Sequence, residues 1–108
     1  PVPLLRDDSG GVLVGRGVLT GVRGRGYCDD TVALHGAVRS IEVRPDEAIG
    51  LAVTVTRGRF VRRRSVLRGR AFQLACDPMV PVSDGVEFPR SMRGWTWYRH
   101  TSDLRLVR

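Results

Sequence analysis

The sequence predicts an all-β fold, an antiparallel β-sandwich or barrel of about 9–11 short strands. Three observations point there. Apolar residues recur with period two, and no stripe of period 3.6 runs anywhere along the chain. The 13 glycines and 6 prolines interrupt the sequence every few residues, which leaves little room for a long helix. The chain has 108 residues and is 42% hydrophobic, enough for one domain with a single modest core.

Strands are expected over residues 11–15, 18–22, 31–34, 40–44, 51–56, 59–63, 71–76, 80–82, 86–88, 96–99 and 104–107. The clearest is LAVTVT, with Leu51, Val53 and Val55 on one face and Ala52, Thr54 and Thr56 on the other. Arg57-Gly58 then turns the chain into RFVRRR. In the simplest register Arg62 falls opposite Val53, which leaves the pairing of that strand open. AFQLACD follows with Phe72, Leu74 and Cys76 on one face. WTWY places Trp95 and Trp97 together, and DLRLVR turns Leu104 and Leu106 inward. Residues 1–108 are read as a single β domain, with 1–9 loosely held. The chain opens Pro1-Val2-Pro3 rather than on Met, as expected of a domain belonging to a longer polypeptide.

The segment PMVPVSDGVEF reads as a hairpin. A three-residue loop, Ser83-Asp84-Gly85, pairs Val82 with Val86 and Val80 with Phe88, and leaves Pro81 and Glu87 on the solvated face. A two-residue loop, Asp84-Gly85, pairs Val82 with Glu87 and mixes the faces, so the longer loop is expected. Asp84 is then a turn former, since aspartate readily bonds its neighbouring backbone.

The formal net charge is +7, and all 18 basic residues are arginine, a usage that reads as GC-rich coding. No apolar run reaches the roughly 18 residues of a membrane-spanning helix. Arg62-Arg63-Arg64, with Arg57, Arg59, Arg68 and Arg70 nearby, forms the densest charge. It suits contact with phosphates of lipid headgroups or nucleic acid, or a solvated hairpin edge that blocks aggregation. GVRGRG, residues 21–26, lacks the following helix that a pyrophosphate loop needs. Asp7-Asp8 and Asp29-Asp30 are adjacent carboxylates. Neighbours on a strand face opposite ways, so at most one of each pair reaches a common site. Cys28 and Cys76, with only His35 and His100 to join them, lack zinc-site spacing and are expected as free thiols. No nucleophile, base and oxyanion group assemble.

From Val38 onward, SIEVRP, GLAVTVTRG, RGRAFQLACDPMVPVSDG and a closing DLRLVR resemble, in that order, the C-terminal β-sandwich of diacylglycerol kinase-like lipid kinases. The resemblance covers roughly residues 36–108. It implies transfer of phosphate from ATP, with Mg²⁺, to a lipid hydroxyl. It also places the nucleotide at a G-G-D-G-T loop in an N-terminal kinase domain, the expected partner of this chain. No such loop occurs here, so this chain by itself would bind neither ATP nor Mg²⁺ and would not be catalytic. Asp84 and Gly85 match the first two positions of the family's Asp-Gly-Glu tip. The third, a glutamate implicated in proton abstraction, is Val86, with Glu87 one residue later. Asp84 and Glu87 are therefore the candidate catalytic residues, and Arg62, Arg63 and Arg64 the candidate contacts to an anionic surface. The implied location is cytoplasmic, peripheral at the inner membrane face. The rival reading is a small basic β-barrel that binds nucleic acid through the arginine hairpin and bases stacked on Trp95, Trp97 and Tyr98.

Overall fold

A computed structural model describes residues 4–99. It is all β, with ten strands in one antiparallel sheet. They are β1 (Leu5–Asp7), β2 (Val12–Leu13), β3 (Gly17–Cys28), β4 (Thr31–Asp46), β5 (Gly50–Arg57), β6 (Arg63–Gly69), β7 (Ala71–Met79), β8 (Val82–Ser83), β9 (Val86–Glu87) and β10 (Met92–Arg99). The sheet order is β2-β1-β10-β7-β3-β4-β5-β6, with β8 beside the other end of β3 and β9 beside β8. Its two end strands, β2 and β6, are not paired with each other. The described residues span 49 × 29 × 23 Å. The long axis matches the 16 residues of β4, which at about 3.3 Å per residue extend roughly 50 Å.

The long β3–β4 ribbon replaces the three separate strands expected over 18–22, 31–34 and 40–44 and takes in the glycine-rich segment between the first two. Glycine did not end the strand, because β7 and β8 pair along one side of β3 while β4 pairs along the other. What glycine does is shift the alternation. Gly21 has φ +60, and it and Arg39 are left out of the β3–β4 pairing. Buried positions are Gly17 and Leu19 before that point, then Val22, Gly26 and Cys28 after it. On β4 the buried set changes in the same way, from Leu34 and Val38 to Ile41 and Val43. One left-handed residue thus lets opposite parities of the ribbon serve one core.

The strand expected over 59–63 begins four residues later. Leu67 pairs with Val53, Ser65 with Val55, and Arg63 with Arg57. This register removes the clash of Arg62 with the apolar face and turns Arg64, Val66 and Arg68 outward. Residues 58–62 form the connecting loop. Leu5–Asp7, expected to be loosely held, is a strand paired on both sides, with Leu5 fully buried. The expected strand over 104–107 lies outside the described residues.

Trp95, Trp97, Phe72, Leu5, Leu13 and Leu19 are among the largest fully buried side chains. Trp97 packs against bare backbone at Gly17, where a methyl group would overlap the indole ring. Across this core β5 approaches β7 and β10 without pairing to them. Burying each such side chain contributes about 1.5–3 kcal/mol, so this layer is the main source of stability.

Candidate functional site

The tip of β8–β9 is a two-residue turn. Val82 pairs with Glu87 and Ser83 with Val86, and the Phe88 amide donates to the Pro81 carbonyl at 2.8 Å. The expected three-residue loop is therefore corrected. Asp84 has φ +51 and Gly85 φ +82, the two left-handed residues that a type I′ turn requires. An apolar face does not set the register at the tip, where Val86 is 70% exposed and Val82 only half-buried. At the base Pro81, expected on the solvated face, is buried, and Phe88 opposite it packs against the core.

The Asp84 side chain is fully engaged. Its Oδ1 accepts the amides of Gly15 at 2.6 Å and Arg16 at 2.9 Å, and its Oδ2 accepts that of Val14 at 2.9 Å. Its own amide donates to the Arg16 carbonyl at 2.8 Å. Partial burial pushes the Asp84 carboxyl up, but the three amides outweigh it and hold the pKa below the ordinary carboxylate value. Asp84 therefore locks the β8–β9 turn to the segment entering β3.

Asp29 repeats the device at the β3–β4 turn. It has φ +52, its Oδ1 accepts the amides of Arg70 at 3.0 Å and Ala71 at 3.1 Å, and its amide donates to the Ala71 carbonyl at 2.9 Å. Asp7 bonds Ser9 and Gly11 in the turn between β1 and β2. Asp7 and Asp29 thus serve turns, and their neighbours Asp8 and Asp30 are exposed. Glu87 is exposed on β9, and no hydrogen bond from the described residues engages its carboxylate. The two candidate catalytic carboxylates differ sharply: Asp84 accepts three backbone amides, and Glu87 accepts none among the described residues.

The arginine cluster lies at the β5–β6 end. Its base is tied down. Arg57 donates to Ser65 Oγ at 3.0 Å and to the Ala33 carbonyl at 2.7 Å, and Arg39 donates to the Gly58 carbonyl at 3.4 Å. Beyond that base, Arg59, Arg62, Arg63 and Arg64 are exposed and make no ion pair among the described residues. The ion pairs instead join Arg16 and Arg44 to Glu42, and Arg68 to Asp46. The Arg44 hydrogen bond lowers the Glu42 pKa, against a smaller opposing effect of burial. Phe60 and Val61, between the arginines, are 96% and 71% exposed. Sequence reading missed them by placing them in a strand. The signal was an apolar pair flanked by charge directly after a turn glycine.

The stacking cluster is corrected. Trp95 and Trp97 are buried, with ring centroids 6.0 Å apart at 78°, and Phe88 packs on Trp95 at 5.0 Å. Only Tyr98 reaches the surface. Gly21–Gly26 is part of strand β3, with Arg23 and Arg25 on its exposed face. They border an open groove of about 590 Å³ with His35 and Asp77. Cys28 is buried and Cys76 half-buried; both thiols are free, and burial pushes each pKa up, helped by Asp29 and Asp77 respectively. His100 lies outside the described residues. No protein-family model matches the sequence, and no curated protein matches it either.

Proposed function

We propose that this chain docks on an anionic lipid surface through its β5–β6 end, as the lipid-substrate domain of a diacylglycerol kinase-like enzyme. One observation carries the docking: Arg59, Arg62, Arg63 and Arg64 are exposed together with no carboxylate partner among the described residues. Near an anionic membrane each such residue contributes about 1 kcal/mol, weakening as salt shortens the screening length. The enzymatic part rests on the sequence resemblance over residues 36–108.

The described residues do not fit ATP or Mg²⁺. No three His, Cys, Asp or Glu side chains converge among them, and Gly21–Gly26 is strand rather than a loop feeding a helix. In this reading both ligands belong to an N-terminal kinase domain, and this chain supplies the lipid. Glu87, with its carboxylate open, is the group that takes the proton of the lipid hydroxyl, whereas Asp84 holds the turn. The finer architecture that goes with it is a sandwich, in which β5 and β6 form a layer over β7 and β10. The approach of β5 to β7 and β10 across the apolar core supports that arrangement.

Co-sedimentation with phosphatidylcholine vesicles, with and without phosphatidylglycerol, tests the docking. Binding should require the anionic lipid, fall steeply between about 0.1 and 0.5 M NaCl as the Debye length shortens from about 10 to about 4 Å, and be lost in an Arg62→Ser/Arg63→Ser/Arg64→Ser variant. Tighter binding to single-stranded DNA than to the vesicles at equal salt would replace this reading with the nucleic-acid one. Phosphatidic acid formed from diacylglycerol and ATP by the polypeptide as cells make it, and lost on Glu87→Gln, tests the enzymatic part.

A further inference from the structure

We propose that Phe60 and Val61 enter the bilayer as an apolar wedge, seated beneath a collar formed by Arg59, Arg62, Arg63 and Arg64. The proposal rests on the docking reading and adds to it, because a charged hairpin alone would only lie on the headgroups. Phe60 is 96% exposed, the most exposed of the large hydrophobic side chains described, and Val61 beside it is 71% exposed. Single exposed apolar residues are ordinary. An adjacent pair at a loop tip with arginine on both sides is the composition of an interfacial anchor.

The loop is built to present that pair. Gly58, at φ +103, turns the chain so tightly that a methyl group there would overlap the Val61 carbonyl. Arg57 and Arg39 fix the base of the loop to the β3–β4 ribbon. Residues 59–62 themselves make no side-chain hydrogen bond among the described residues, so nothing draws the tip back onto the domain. Charge decides which occupant fits. Four arginines without carboxylate partners disfavour a second copy of this chain, whose corresponding tip carries the same charge. They favour a surface that offers phosphates around a hydrocarbon layer. Arginine stems also tolerate partial burial while their guanidinium groups stay at headgroup level.

The test reads insertion separately from docking. Phe60→Trp places an exposed indole at the tip, while the native Trp95 and Trp97 stay buried. With phosphatidylglycerol vesicles its emission should shift to the blue and be quenched by bromine-labelled acyl chains. Val66→Trp, on the outward face of β6, should show neither change. Phe60→Ser should weaken vesicle partition about ten-fold and abolish the binding that survives high salt. Vesicle binding without acyl-chain quenching would overturn the wedge and leave the arginine docking standing. No vesicle binding at all would remove both. Self-association of the protein that Phe60→Ser abolishes would assign the tip to a second copy and overturn the proposal.

Discussion

Two hairpin ends of this molecule carry the residues that look most functional, and they are opposite in character. At β8–β9, Asp84 gives both carboxylate oxygens to amides 68–70 positions away in the chain. At β5–β6, the side chains of Arg59, Arg62, Arg63 and Arg64 and of the apolar pair between them make no hydrogen bond or ion pair with the other described residues. The difference shows that residue type alone does not tell a side chain committed to the fold from one left to the solvent. A carboxylate holding three N–H groups has most of its acceptor capacity committed to the fold. A guanidinium without an acceptor, or a phenyl ring in water, still has free energy to gain from a partner.

The contrast breaks most strongly at Asp84. Asp84→Ala should cost about 2 kcal/mol of stability in urea unfolding, because three charge-assisted hydrogen bonds joining the turn to residues 14–16 are lost and their amides are left to water. Vesicle partition of the folded protein should not change. An unaltered unfolding midpoint would mean that the lock carries no energy. Acid sharpens the same point. The Asp84 pKa is lower folded than unfolded, so its contribution is complete above about pH 4 and is lost as pH falls through the folded value. The stability gap between wild type and Asp84→Asn should therefore be full at neutral pH and shrink below about pH 4. A gap that widened in acid would contradict this assignment.

A smaller effect is expected at Gly85. Its φ is +82 with open space around a would-be methyl group, so Gly85→Ala should cost about 1 kcal/mol through backbone strain alone. The smallest lies at the other end. Phe60→Ser should leave unfolding within about 0.5 kcal/mol of wild type, since Phe60 makes no contribution to the core. A larger loss would show that the tip is structural rather than presented.

Much of the fold was legible because period-two alternation is a local property. LAVTVT fixed the inward residues of β5, and Trp95 with Trp97 fixed those of β10. Parity failed at Gly21, where a positive φ shifts alternation in a way that no window of residue types reveals. The β5–β6 register failed for a related reason. Counting back from Arg57-Gly58 assumed a tight turn, whereas the chain uses a longer loop to bring Leu67 opposite Val53. The Asp84 hairpin was read by its faces, although its turn chemistry and its long-range partner decide it.

The sequence by itself determined an all-β chain, an apolar set large enough for one core and a strongly basic balance. These follow from residue volume, charge and backbone preference, which each residue carries with it. Tertiary structure alone decided which carboxylates are consumed and which charges remain open. Hydrogen bonds such as those from residues 14–16 to Asp84 join segments that only folding brings together, and a bonding group's availability depends on every neighbour it meets.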